Sequence, residues 1–481
     1  MPNAPSSRSS CVAWFDADNI SGVPDNTTLT TSATVTGANR VGPAWTAPSS
    51  SANCPVYRAA KTLGHACLTF PDGLRWITPA ATTVFDSAAS TSRSMTFVIA
   101  PTGTTNGSLA GIFSYGASYS TYLYNSSGAV ISFNRWDGTG GNPSNPILYP
   151  TIPSGSGGAA LPPIPQIFTW TRNNSTGLET IYQNGIKVHS QTVSGGNTSG
   201  AQGCRLGAST FTGAYGMYGD VAQVILDNVE LSQAQVSSDV AYFAARYNTT
   251  PQSLIFCVGD SRTAGSSSNL PSTTAAYYPY PLQLQNMLPN AVVVNLGMGG
   301  ATVETVTATF SANVLSNINP LFSNALALFF AGVNDYGGGS ISATTAAADF
   351  ISGTQALEAG GILTIPATDI DYESTVSAAE TYRSTFNSLV VAGLPSIPGK
   401  RNLLRLDLDP ILGPSGASQS SYFYDMVTNG LTAIHLTGKA ADGTTPGGGY
   451  GHLAALFNLA IQQLLTPLPA VSRTRLVNSG G

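Results

Sequence analysis

Charge is scarce in this sequence. Lys and Arg number 19 and Asp and Glu 24 among 481 residues, so 9% of the chain is charged and the net charge is −5. The basic residues are scattered, not clustered, which removes the electrostatic footprint a phosphate backbone needs and excludes a nucleic-acid partner. Long apolar runs are missing too. Segments such as Ala325 to Ala331 fall far short of the roughly 20 residues a membrane-spanning helix requires, so a soluble chain with no membrane partner is expected. Cysteine is sparse: Cys11, Cys54, Cys67, Cys204 and Cys257 contain no C-x-x-C pair, which argues against a zinc cage, and neither a metal nor any other cofactor is expected. The odd count leaves at least one thiol free, and Cys54 with Cys67 reads equally as a disulfide or as two buried thiols. The opening Met1-Pro-Asn-Ala-Pro-Ser-Ser-Arg8 lacks the apolar core of a secretory signal, so an extracellular or virion location implies a removed leader, another export route or cell lysis.

What the chain does have is length and small polar residues. With 42% hydrophobic residues it can fill two ordinary cores, and its surface must consist mostly of neutral Gly, Ser, Thr and Asn, which suits an extracellular or virion protein. Two rhythms divide it. From Cys11 to about Asp227 the apolar residues come in short β-branched and aromatic bursts such as Cys11-Val-Ala-Trp-Phe15, Met95 to Ala100, Ala129 to Phe133, Ile167 to Thr171 and Val221 to Leu226, the pattern of an all-β jelly-roll-type sandwich. Within it, Asn184-Gly185 between strand formers predicts a type I′ hairpin. Leu231 to Tyr247 changes period, because Ser232 can cap a helix that places Val236, Val240, Phe243 and Ala244 on one face. The expected boundary follows it, giving domains 1–248 and 251–470 and a tail 471–481.

Downstream, strands and helices alternate. Leu254 to Val258, Ala291 to Leu296, Ala325 to Ala331, Gly361 to Pro366 and Asn402 to Leu406 read as strands buried on both faces. Between them Tyr280 to Leu288, Val303 to Ile318, Thr344 to Leu357 and Val376 to Val391 have helical length, and Gly449 to Leu465 forms a last helix. The whole chain is therefore expected to be multidomain, an all-β sandwich followed by a three-layer α/β domain with a parallel sheet, whose ligand site lies beyond the carboxyl ends of the strands.

Residues capable of chemistry fall at those ends. Gly259-Asp260-Ser261-Arg262-Thr263 follows the first strand, where a serine on a strand-to-helix turn exposes its hydroxyl; the same residues also make an ordinary turn. Asn295-Leu-Gly-Met-Gly-Gly300 follows the second and lets backbone N–H groups approach a ligand, or simply supplies positive φ. After the third, Gly332-Val-Asn334-Asp335 offers an amide donor or an Asx turn, and His435, one of four histidines, precedes the last helix. Together these four blocks resemble the SGNH (GDSL-like) hydrolases over about Ser253 to Leu465. The resemblance implies a serine ester hydrolase in which Ser261 is the nucleophile and His435 the base, with the N–H groups of Ser261 and Gly300 and the amide of Asn334 forming the oxyanion hole. Members usually carry an aspartate three residues before the histidine, and here that position is Thr432. Thr432 itself, a backbone carbonyl, or an acid from elsewhere such as Asp409 or Asp425 are the candidates for orienting His435, and weakened turnover is implied. His452 is expected to pack or cap in the last helix and Asp260 and Asp335 to bind loop backbone. Arg262 reads as a solvated arginine, with contact to an acidic sugar as the alternative.

The β half resembles laminin-G or concanavalin A-like domains. The likeness rests on Val12-Ala-Trp-Phe-Asp-Ala17, Asn106 to Ser114 as an inner strand pair, and Leu178 to His189. It implies either a lectin-like carbohydrate-binding module, with Tyr119, Tyr122, Tyr124, Trp136 and Tyr182 available to stack on sugars, or a spacer in a homo-oligomer or virion assembly. Two functions follow: an esterase removing acetyl or similar groups from a carbohydrate or polysaccharide, and a structural or adhesive phage virion protein, as a tail or capsid-decoration subunit, with a weak or inactive hydrolase domain. A lipase would want an apolar lid, and the loop 264–277 is polar.

Overall fold

A computed structural model describes residues 4–72, 74–79, 92–103, 110–115, 119–125, 129–133, 147–150, 164–192, 204–207, 218–248, 252–265, 279–337, 341–370, 377–394, 436 and 448–465. The chain divides into two compact units, one of residues 1–254 with 308–325, the other of 255–307 with 326–481.

The first unit is an antiparallel β-sandwich. Among the described residues its ten-stranded sheet runs Ile186–Thr192, Leu178–Gln183, Gln166–Arg172, Arg93–Gly103, Tyr218–Asp227, His65–Phe70, Val56–Thr62 and Thr27–Thr28, with Cys11–Asp16 pairing Tyr218–Asp227 and Asn39–Val41. A five-stranded sheet runs Ile147–Pro150, Ala129–Phe133, Tyr119–Asn125, Ala110–Tyr115 and Cys204–Leu206. Period-2 alternation turns Phe15, Phe70, Phe97, Phe168 and Ile181 inward, where they pack with Trp45 and with Leu206 of the smaller sheet. Gly207 shows how closely the layers approach: at φ +97 a Cβ there would lie 2.2 Å from Cε1 of Phe70. The hairpin forms as its sequence requires, with Asn184 at φ 51 and Gly185 at φ 86. The helix Gln233–Tyr247 is closed by a capping box between Ser232 and Gln235, and Val236, Val240, Phe243 and Tyr247 are buried.

Cys11, Cys54, Cys67 and Cys257 are all buried free thiols, so Cys54 and Cys67 are not bridged. Burial pushes the thiols of Cys11 and Cys67 up to about 12.

Among the described residues the second unit carries a four-stranded parallel sheet in the order Ala291–Gly297, Ser253–Gly259, Asn324–Phe330, Leu363–Pro366. Every residue of Ser253–Gly259 is buried, whereas Ala291–Gly297 is last in the order and partly exposed. On one face Ile255, Cys257, Leu328, Phe330 and Ile365 pack with Leu284, Leu453, Phe457 and Ile461, and Tyr280 stacks on Phe457 at 5.1 Å. These partners come from the helices Tyr280–Met287 and Gly448–Leu465. On the other face Phe329 stacks on Phe350 at 4.0 Å, and Phe350 meets Phe386 edge-on, bringing in the helices Ala343–Ala359 and Ser377–Gly393. Helices on both faces make three layers, and the expected strand Asn402 to Leu406 lies outside the described residues.

One expected helix is corrected. Val303 to Ile318 is instead Val303–Ala308, a short Phe310–Asn313 and a 3₁₀ turn Leu315–Asn317. The Asn317 side chain donates to the Asn313 carbonyl at 3.1 Å, taking the acceptor that a continuing helix would use. Residues 308–325 belong to the first unit, where Gln183 Nε2 donates to Asn317 Oδ1 at 2.8 Å and the Asn319 amide donates to the Pro165 carbonyl.

Candidate active site

At the carboxyl end of Ser253–Gly259 the chain has no room for a side chain. A Cβ on Gly259 would fall 1.9 Å from the Phe330 carbonyl oxygen and 2.3 Å from Thr263 Oγ1, so glycine is required where the strand turns into the one-turn helix Ser261–Ala264. Asp260 caps that helix. Its Oδ1 accepts the Arg262 N–H at 2.9 Å, while its carbonyl accepts from Thr263 at 3.1 Å and Ala264 at 2.9 Å. The turn ends at Gly265, φ +75, whose N–H donates to the Ser261 carbonyl at 2.8 Å. Thr263 Oγ1, which donates to the Phe330 carbonyl, lies 3.4 Å from the Tyr280 hydroxyl. Ser261 is thus the first residue of a short, buried helix capped at both ends.

The neighbouring turns are tied to this one by backbone. The Met298 N–H donates to the Gly259 carbonyl at 2.9 Å, and Gly297 is pressed so closely against the helix that a Cβ would sit 1.9 Å from the Ala264 nitrogen. Gly300 differs: its φ of +75 calls for glycine although a Cβ would meet nothing within 4 Å, so its backbone stands exposed. Asp260 Oδ2 accepts the Gly332 N–H at 3.2 Å, linking the serine turn to the turn after Asn324–Phe330. There Asn334 Nδ2 donates to the Ala301 carbonyl at 2.9 Å, and the Asp335 carboxylate accepts the Val303 N–H at 3.0 Å, so the asparagine turn holds the glycine-rich one. Asp260 and Asp335 bind loop backbone as their positions suggested.

Arg262 is a correction. The expected solvated side chain is fully buried, because its guanidinium pairs with the equally buried Asp369, reaches the Ile370 carbonyl at 3.4 Å and lies 5.9 Å over the Phe330 ring. Its charge is neutralised inside the fold, which also rules out contact with a sugar. The sequence reading missed Asp369 and Asn387. The one available signal for the former was an acid just beyond the end of Leu363–Pro366. Burial, aided by the charges of Asp260 and Asp369, pushes Asp335 up to about 6. Burial likewise raises Asp369 to about 6, against the opposing pull of Arg262.

The structure brings the turns of Ser261, Gly300 and Asn334 together at one end of the sheet. His435, Thr432, Asp409 and Asp425 lie outside the described residues, although Leu436, next to His435, is buried in the core of the second unit. His452 lies half-buried in Gly448–Leu465. Of the aromatics considered for sugar stacking, Tyr182 is instead packed with Leu231 and Val236. Trp136 and the side chains of Tyr119, Tyr122 and Tyr124 lie outside the described residues. Among the described residues no group of His, Cys, Asp and Glu could hold a metal ion, and no helix is long and apolar enough to cross a membrane.

Residues 257–442 match the model of the GDSL-like Lipase/Acylhydrolase family. Among solved structures, a lipolytic protein of the G-D-S-L family from Desulfitobacterium hafniense DCB-2 is 18% identical over 43% of this chain and 98% of that one, with a TM-score of 0.30. The lipase/acylhydrolase from Enterococcus faecalis is 17% identical over 46% of this chain and 100% of that one, with a TM-score of 0.31. A variant of the NanB sialidase from Streptococcus pneumoniae is 19% identical over 35% of this chain, with a TM-score of 0.27, and the chain spans 27% of that sialidase's length. No curated protein matches the chain.

Proposed function

From the premise that residues 257–442 form a GDSL-like lipase/acylhydrolase domain, we propose that this chain is a serine esterase acting on acyl, foremost acetyl, esters of a carbohydrate. The observation that carries the reading is the fastening of three turns at one sheet end: Met298 to Gly259, Gly332 to Asp260 and Asn334 to Ala301. Ser261 Oγ attacks the ester carbonyl while His435 takes its proton. The N–H groups of Ser261 and Gly300 and the second hydrogen of the Asn334 amide receive the developing oxyanion, and collapse expels the alcohol with the proton returned by His435. Water, deprotonated by the same histidine, then releases the acid and restores Ser261. The carbohydrate substrate, and with it an extracellular or virion setting, is supported by a composition poor in charge and by the polar sequence of residues 264–277. The β-sandwich serves in this reading as the module that holds the polymer.

Purified protein is expected to hydrolyse 4-nitrophenyl acetate without added metal, and to react with a fluorophosphonate probe at Ser261. Ser261→Ala should abolish both while leaving the circular dichroism spectrum intact; equal rates in mutant and wild type would overturn the assignment. One observation favours a second reading, a structural or adhesive virion protein with a weak hydrolase domain: Thr432 stands where the family usually has aspartate. That reading gains if the probe leaves Ser261 unlabelled.

A further inference from the structure

Asp369 has no part in the chemistry just described, yet its carboxylate is buried and paired. It is 1% exposed and directly follows the segment that leaves the fourth strand, Leu363–Pro366. Its backbone is fixed from both sides by one residue, since the Asp369 N–H donates to Asn387 Oδ1 at 2.8 Å and Asn387 Nδ2 donates to the Asp369 carbonyl at 2.8 Å. Its Oδ1 accepts the Ile370 N–H at 3.0 Å and the Arg262 guanidinium. Its Oδ2 faces Gly332, where a Cβ would stand 3.3 Å away.

Arg262 is the residue after the nucleophile and Gly332 the residue two before Asn334. One carboxylate, on a residue whose backbone is clamped to the helix Ser377–Gly393 through Asn387, therefore bears on both turns from behind. We infer that Asp369 is a positioning residue for the esterase site, holding the Ser261 turn through Arg262 and abutting the Asn334 turn at Gly332, so that nucleophile and oxyanion donor keep a fixed relation. A guanidinium–carboxylate pair suits this task because its donors are planar and directional, whereas apolar contacts fix separation but not orientation. A shift of about 1 Å between reacting groups is enough to cost roughly a hundredfold in rate. The inference rests on the esterase reading for its kinetic consequence, but its structural content stands apart from activity.

Hydrogen exchange on the full chain reads that content directly. The N–H groups of Arg262, Thr263, Ala264 and Gly332 all bond to Asp260, so loosening of either turn registers there. In Asp369→Asn these amides are expected to exchange about tenfold faster or more while those of Gly448–Leu465 keep their rate. On 4-nitrophenyl acetate kcat should fall about 10–100-fold with KM changed less than about threefold, the signature of lost transition-state geometry and not of lost binding. The paired variant Arg262→Met with Asp369→Leu guards against a trivial loss of folding, since apolar replacement of a buried ion pair is often neutral or stabilising. It is expected to melt no lower than wild type yet keep fast exchange in the Ser261 turn and a low kcat. Unchanged exchange in Asp369→Asn, or full recovery of slow exchange and kcat in the apolar pair, would reduce Asp369 to a packing element and overturn the inference. A wild type inert toward the ester would remove the esterase reading alone, because exchange would still decide whether Asp369 holds the turns.

Discussion

Asn334 gives one amide hydrogen to the Ala301 carbonyl, which orients the side chain, and in the proposed mechanism its second hydrogen meets the oxyanion. Asn334→Ala is therefore expected to lower kcat about 10²–10³-fold with little change in KM, measured by steady-state hydrolysis of an aryl acetate. Asp335 makes a separate prediction. Its folded pKa of about 6 lies above its ordinary 3.8, so folding takes up a proton there: the group's favourable contribution is present below the ordinary value and is lost as pH rises through about 6. Asp335→Asn, which keeps an oxygen for the Val303 N–H, should gain stability over wild type on the order of 1 kcal/mol at pH 8 and little at pH 4, as read from urea unfolding at the two pH values. A gain that does not grow with pH would show that Asp335 is ionised without penalty. At Thr432 the proposed dyad lacks the charge that stabilises an imidazolium, so Thr432→Asp should raise kcat; a fall, matched by a fall on removing Asp409 or Asp425, would mean that a relocated carboxylate already serves His435. The residues read most easily from sequence are those whose place is local, such as Ser261 and Asn334 one turn past a strand. Arg262 with Asp369 was illegible because the pair spans 107 residues and leaves no periodic trace, and an arginine in a polar turn looks solvated until its partner is known.

Elements defined by their own turn chemistry were legible to within a few residues. Asn184-Gly185 and the Ser232 cap each satisfy a local stereochemical demand that sequence alone expresses. Gly185 at φ +86 should tolerate alanine poorly, at a cost of about 1 kcal/mol in urea denaturation, and Val240 Cγ2 only 3.3 Å from the position of the added Cβ should sharpen the loss. The helix expected over Val303 to Ile318 failed for a reason outside periodicity. Apolar spacing continues through Phe310 and Val314, both buried, but the backbone acceptor at Asn313 is taken by Asn317, and Asn317 is itself held by Gln183. Hydrophobic spacing reports which faces are buried and is blind to which carbonyls are already occupied.

For the whole molecule, the location of residues 308–325 in the first unit matters most. A fragment 1–254 lacks the partners that Asn317 and Asn319 supply to Gln183 and to the Pro165 carbonyl. It is expected to melt lower than the same fragment with 308–325 attached through a flexible linker, by calorimetry, and equal melting would make the segment dispensable. If the sandwich holds carbohydrate as proposed, the longer fragment is the one to place on a glycan array, and absence of signal would leave the module a spacer. The same segment constrains how such a protein can be recombined. The chain passes from one unit to the other at 254, at 307 and at 325, so the first unit is encoded in two stretches separated by hydrolase sequence. A gene crossover at the apparent linker would deliver a sandwich without its last piece and a hydrolase burdened with a foreign one. Exchange of either module between proteins must therefore preserve both stretches together, which couples the inheritance of the two units more tightly than a single tether would.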